Sequence, residues 1–241
     1  TLPSEDFPSF ESEDSPTEIN ISSEGLKSLI NSTSFAMGND SWRDYLSGLN
    51  LIIDDKTITA VATDGSRLAV ANSDLNEAVP VSISGIVPKK SINEIGKLVS
   101  DVKENILIKL GPTSISVYAG GTNFVSKLIE GKFPDHEQVI PFGESSLMKI
   151  NRKEFSESLS RVSVLSGGDH KGVRFMTEEN TINISANNPD KERGEESLEC
   201  SYNGENIDIA FNINYFQEIL SSINSQEVEI NFFGSERSCL I

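Results

Sequence analysis

The side chains with the most chemical potential here are carboxylates, and their placement argues against catalysis. Asp54-Asp55 and Glu178-Glu179 each interrupt two alternating apolar runs, where acids are solvated turn residues by default. A catalytic nucleophile needs a base within hydrogen-bond reach and a third group to orient that base. The chain has two histidines, His136 and His170, and two cysteines, Cys200 and Cys239, and none belongs to such a set. SVLSGG at 163–168 lacks the flanking glycine and the strand-to-helix context of a hydrolase nucleophile elbow. No phosphate-cradling loop or dinucleotide fingerprint occurs. The Cys and His spacing fits neither a zinc site nor a disulfide framework, so both thiols read as reduced, in strand-like segments. The sequence predicts no enzyme activity, no metal and no cofactor.

Binding chemistry is better represented. Thr63-Asp64-Gly65 ends an apolar run at a tight turn, with Gly65 free to take positive φ and Arg67 just beyond. Arg43 and Tyr45 lie in a polar loop before a strand, and Lys89 and Lys90 open a helix. The formal charge is −17, from 20 basic and 37 acidic residues. Proteins that grip nucleic acid by charge neutralise phosphates with many Lys and Arg. A DNA role for this chain therefore needs a topological hold rather than a strong basic patch. An acidic exterior also discourages non-specific adhesion.

The elements that position these residues occur twice. GLNLIIDDKTITA at 48–60 and GVRFMTEENTINI at 172–184 are both hairpin signals, matching at an offset of 124. Upstream, INISSEGLKSLI (19–30) aligns with MKINRKEFSESL (148–159), with Ser22 and Asn151 each placed to cap a helix. Downstream, SINEIGKLV (91–99) resembles YFQEILSSI (215–223), and each precedes an alternating strand, ILIKL (106–110) and VEINF (228–232). One unit thus reads strand, helix, hairpin, helix, more strands. That pattern predicts an α+β class with two helices packed on antiparallel sheets. LPSEDFP (2–8) repeats LIEGKFP (128–134), so the chain is expected to start in the tail of an earlier unit and to stop inside a later one. The absence of an initial Met and of a signal peptide fits a fragment of a larger protein. No apolar run reaches membrane-spanning length, so no membrane partner is expected.

The segments AVATDGSRLAV (60–70), IVPKKSINEI (86–95), SKLIEGKFPDHEQVIP (126–141), GVRF (172–175), ANNPDKERGEE (186–196) and AFNINYFQEIL (210–220) resemble, in order, motifs of bacterial sliding clamps, the DNA polymerase III beta subunits. The resemblance spans essentially the whole chain. It implies the DNA clamp fold: head-to-tail dimers of three-domain protomers, with helices lining the hole and sheets outside. Residues 1–17 then correspond to the tail of the first clamp domain and a linker, 18–141 to the central domain, and 142–241 to a truncated C-terminal domain.

The same resemblance implies a polymerase processivity factor. It encircles double-stranded DNA without reading sequence. It also tethers the polymerase III alpha subunit, the clamp loader and other proteins carrying a clamp-binding peptide. The groove positions it assigns are Leu46, Thr63, Gly65, Ser66, Arg67, Leu68, Pro134, Gln138, Val139 and Tyr215. Aliphatic walls there bury a peptide's Leu or Phe, while backbone groups and Arg67 orient it. Ser66, His136 and Gln138 depart from the His, Tyr and Arg common at those places. DNA-facing positions are Arg43, Tyr45, Lys89 and Lys90, with Lys27 and Lys97 as further helix lysines. Ring closure into a homodimer falls to Val164, Leu165 and His170. A cytoplasmic location is implied as well. The alternative is an acidic, repeat-built protein-interaction module without a DNA role.

Overall fold

The structure is a computed structural model that describes residues 16–39, 42–164, 172–188, 190 and 192–241. It divides into two compact units, Thr1–Pro134 and Asp135–Ile241. The division falls before the short 3₁₀ turn Glu137–Val139, earlier than the boundary expected after Pro141.

The first unit opens with β1 (Thr17–Ser22) and α1 (Ser23–Thr33). Alternation in β1 buries Ile19 and Ile21 and leaves Glu18 and Asn20 outside. Ser22 caps α1, its hydroxyl accepting from the Gly25 amide at 3.0 Å. Leu26, Leu29, Ile30 and Thr33 form the helix's buried stripe, at the three- and four-residue spacing of one helical face. After 3₁₀ turns at Ser34–Ala36 and Asp44–Leu46 come β2 (Gly48–Asp54), β3 (Thr57–Thr63), β4 (Leu68–Asp74) and β5 (Ile83–Pro88). Then follow α2 (Lys89–Val99), β6 (Asn105–Leu110), β7 (Ser114–Ala119) and β8 (Thr122–Lys127).

Two four-stranded antiparallel sheets result, in the orders β1-β6-β7-β8 and β4-β3-β2-β5. The first β2–β3 hairpin closes through a two-residue turn, with Asp54 opposite Thr57. Both helices and both sheets supply one aliphatic core, including Leu29, Leu51, Ile58, Ile95, Ile108 and Val117. Each such side chain, fully buried, is worth about 1.5–3 kcal/mol before the entropy of ordering is charged against it.

The second unit repeats the plan. It comprises β9 (Ser146–Asn151), α3 (Arg152–Ser163), β10 (Gly172–Glu178), β11 (Thr181–Asn187), β12 (Arg193–Glu199), β13 (Ser201–Tyr202), β14 (Asp208–Asn212), α4 (Ile213–Ser222), β15 (Glu227–Phe232) and β16 (Cys239–Leu240). Its sheets run β12-β11-β10-β14 and β13-β9-β15-β16. The β9–β15 pair corresponds to β1–β6, and the β10–β11 hairpin to β2–β3. Asn151 caps α3 by accepting from the Lys153 and Glu154 amides, and Asn212 caps α4 through the Asn214 amide. The α+β expectation and both expected caps are met.

Cys239 lies in β16, but Cys200 sits in the link between β12 and β13 rather than in a strand. The reason is local: the Cys200 amide donates to the Asn180 carbonyl at the β10–β11 turn, which ends β12. Both cysteines are free thiols. Among the described residues, no helix is long and apolar enough to cross a membrane.

Candidate functional site

The turn joining β3 to β4 is built almost entirely by its own side chains. The Thr63 hydroxyl accepts from the Gly65 amide at 3.0 Å and donates to the Arg67 carbonyl at 2.6 Å. One Asp64 oxygen accepts from the amides of Ser66 and Arg67, at 2.9 and 3.1 Å. This is an Asx turn, in which a carboxylate replaces the backbone carbonyl that would otherwise close the loop. The other Asp64 oxygen takes the Arg67 Nε at 3.1 Å. Arg67 then reaches across to the Phe35 carbonyl at 2.7 Å, with its guanidinium 5.4 Å from the Phe35 ring centre. Its side chain is only 13% exposed. Arg67 therefore fixes the shape of the turn, and its guanidinium is already engaged by Asp64 and Phe35.

Gly65 has φ of +93°, a conformation that L side chains rarely adopt. A Cβ there would also stand 2.9 Å from Nη1 of Arg43. So Arg43, expected to face DNA, packs its guanidinium on the Gly65 turn. Tyr45, expected to do the same, is half-buried and lies against Gly131, where an added Cβ would come 3.3 Å from the Tyr45 Cβ. The segment after β8 returns to this place because the Ile129 amide donates to the Ile86 carbonyl at 2.8 Å, forming an isolated bridge on β5. The first unit thus brings together Thr63, Gly65, Ser66, Arg67 and Leu68 on one turn with Arg43 beside it. Leu46 is buried at the foot of the same loop, and Tyr45 meets the segment that ends in exposed Pro134.

The loop that carries Arg43 is anchored at both ends. The Gly38 amide donates to the Leu46 carbonyl at 2.8 Å. Lys89 extends Nζ to Asn39 Oδ1 at 2.8 Å and to the Met37 carbonyl at 3.3 Å, while its amide donates to the Ser47 carbonyl at 3.1 Å. Lys90 is exposed on the next position of α2. Of the other helix lysines, Lys27 donates to the Val102 carbonyl at 3.1 Å, and Lys97 pairs with Glu94 at 2.7 Å.

In the second unit, Gln138 Nε2 donates to Asp135 Oδ2 at 2.8 Å, which holds the 3₁₀ turn on which Val139 is 63% exposed. Tyr215 is half-buried on α4. Val164, just past α3, is 77% exposed, and Leu165 and His170 lie outside the described residues.

Sequence reasoning missed Phe35, Met37 and Asn39, which hold Arg67 and Lys89. No local pattern marks them, because each acts through a contact more than thirty residues away in sequence. Asp64 was recognisable: an Asx residue before glycine at a strand end is a turn organiser. Among the described residues no group of His, Cys, Asp and Glu could hold a metal ion. Burial pushes the Cys239 thiol up to about 11 and raises Cys200 as well, so both stay protonated, and poorly nucleophilic, at neutral pH.

Residues 20–135 match the family described as DNA polymerase III beta subunit, central domain, and residues 137–241 match its C-terminal domain. The chain belongs to the DNA polymerase III beta subunit family, the beta sliding clamps. It is 36% identical over all 241 residues to the beta sliding clamp of Pseudomonas aeruginosa. To those of Vibrio cholerae and Escherichia coli K12 it is 34% and 32% identical over the same length. It spans 66% of the length of each of these clamps. The crystal structure of the Pseudomonas aeruginosa DNA polymerase III subunit beta superposes with a TM-score of 0.95, covering 99% of this chain and 66% of that one. A Pseudomonas aeruginosa clamp bound to griselimycin gives 0.94. Both beta-clamp domains matched here have the doubled-sheet, two-helix plan described above.

Proposed function

We propose that this chain is the central and C-terminal part of a cytoplasmic, non-catalytic processivity factor, a homodimeric ring that encircles duplex DNA and tethers the replicative polymerase. The observation that carries this reading is the match of two consecutive clamp domains to two consecutive units of like architecture. The charge supports it as well. At −17 overall, the chain is poorly suited to gripping phosphates, so retention on DNA rests on enclosure with weak contacts. Those contacts go to phosphates without sequence readout, from Lys89 and Lys90 at the start of α2.

The peptide site takes Leu46, Thr63, Gly65, Ser66, Arg67 and Leu68 from the first unit, with Pro134 at its end. Gln138, Val139 and Tyr215 are the candidates from the second unit. Partners are the polymerase III alpha subunit, the clamp loader and other proteins bearing a short apolar clamp-binding peptide. Arg43 joins the peptide site in this reading, because it packs on the Gly65 turn. Val164, Leu165 and His170 are the ring-closing candidates.

The test is charge reversal of Lys89 and Lys90 in the clamp that contains this chain. Loading or processive synthesis is expected to fall most at low salt, with the deficit against wild type narrowing as salt screens the contact. Unchanged processivity across several salt concentrations contradicts the DNA contact.

A further inference from the structure

Asn203-Gly204 is the chain's one Asn-Gly pair, and it lies between β13 and β14. Residues 203–206 are all exposed, yet both flanks are fixed. On one side Tyr202 is buried, its amide accepted by Asn180 Oδ1 at 3.3 Å and its hydroxyl donating to the Glu205 carbonyl. On the other, the amide of buried Ile207 donates to the Thr177 hydroxyl at 2.8 Å. Among the described residues, neither the Asn203 side chain nor the Gly204 amide has a hydrogen-bond partner. Gly204 also lacks the Cβ that would shield its amide nitrogen. The chain's one Asp-Gly pair, Asp64-Gly65, could undergo the same ring closure but is held against it. The Gly65 amide donates to the Thr63 hydroxyl, and the Asp64 carboxylate accepts from the Ser66 and Arg67 amides and from Arg67 Nε. Those bonds must break before nitrogen and carboxyl carbon can meet.

We propose that Asn203 is a site of spontaneous deamidation and isoaspartate formation in the folded protein. The Gly204 nitrogen attacks Cγ of Asn203. A new N–Cγ bond forms, the amide proton is lost, and the Cγ–Nδ2 bond breaks to release ammonia. Water then opens the resulting succinimide at either carbonyl, giving isoaspartate or aspartate with no change of oxidation state. Both products place a new carboxylate beside Glu205. Isoaspartate also adds a methylene to the main chain, where a Cβ on Gly204 would already collide with the Ser146 side chain. Ser146 begins β9, so the lengthened loop strains the two-residue β13–β9 pairing.

The 241-residue chain is incubated for weeks in mildly alkaline buffer, folded and in denaturant, then digested in mild acid for peptide mass spectrometry. The expected result in the folded chain is a gain of about one dalton at Asn203, with isoaspartate as the larger product and a substrate for an isoaspartyl methyltransferase. Asn203→Gln should abolish the gain, since its longer side chain closes a ring far more slowly. The folded rate divided by the denatured rate should be much smaller for isomerisation at Asp64 than for deamidation at Asn203. No gain at Asn203 in the folded chain while the denatured chain deamidates there overturns the site. A gain shared equally with other exposed asparagines, such as Asn72 and Asn76, overturns it too. Equal rate ratios at Asp64 and Asn203 contradict the claim that hydrogen bonding separates the two pairs.

Discussion

The two hairpins β2–β3 and β10–β11 have the same two-residue turn length, yet they bend differently. In the first, Asp55 at the leading turn position takes φ of +47°. In the second, Asn180 at the trailing position takes φ of +57°. Asp and Asn tolerate the left-handed region better than Lys or Glu, so the turn chemistry decides which position bends, while strand register decides how long the turn is. Asn180 is also tied down further: its amide donates to the Tyr202 carbonyl at 3.0 Å, and its side-chain oxygen accepts the Tyr202 amide at 3.3 Å. The cores differ in the same spirit. The first unit's buried core is aliphatic, whereas the second is organised by Phe155, Phe175, Phe211 and Phe216, with ring centres 4.9–6.1 Å apart. One architecture is thus filled by two side-chain chemistries, so architecture is set by the apolar pattern and stability by the particular packing.

The sharpest way to break this comparison is Phe175→Ala. Phe175 is fully buried and touches three other rings, so its loss should cost about 3–5 kcal/mol, read as an early transition in denaturant unfolding. Leu51→Ala in the aliphatic core should cost about 2–5 kcal/mol, below the Phe175 change, because Leu51 is buried but has no ring partners to lose. Equal costs in the two units would make the aromatic cluster irrelevant. Asn180→Gly should cost about 1 kcal/mol, because it frees the backbone but loses the Tyr202 contact.

Acid sensitivity should map to the second unit. Arg161 makes two hydrogen bonds to Glu196 at 2.7 and 2.8 Å and holds that carboxyl below the usual range. Such a group stabilises the fold above its unfolded value of about 4.3, and that contribution is lost as pH falls through its lower folded value. Glu196→Gln should therefore cost less than about 1 kcal/mol at pH 7 and nothing once the wild-type carboxyl is protonated. A cost that is constant from pH 7 to pH 3 would contradict the pairing. The smallest effect is expected of Asp55→Gly, within a few tenths of a kcal/mol of wild type by thermal unfolding, since glycine accepts that φ without penalty.

Most of the architecture was legible because it is periodic. The offset of 124 placed both hairpins, and Ser22 and Asn151 announced their helices by capping chemistry alone. The site was legible at the Thr63–Leu68 turn, where the determinants lie within six residues. It was not legible at Arg43 and Tyr45. Their positions depend on a loop closed by the Gly38–Leu46 bond and on a segment brought back by the Ile129–Ile86 bridge. Neither is a local signal. The same holds for Lys89, whose ammonium is held by a loop fifty residues earlier.

Enclosure rather than adhesion is the central claim, and it has a direct measurement. The clamp containing this chain is loaded onto a closed circular duplex, isolated, and the circle is cut once at a site remote from the protein. The account predicts retention for as long as the circle is closed and rapid loss from the free ends after cutting. Retention that survives cutting, or release from the intact circle in moderate salt, contradicts it.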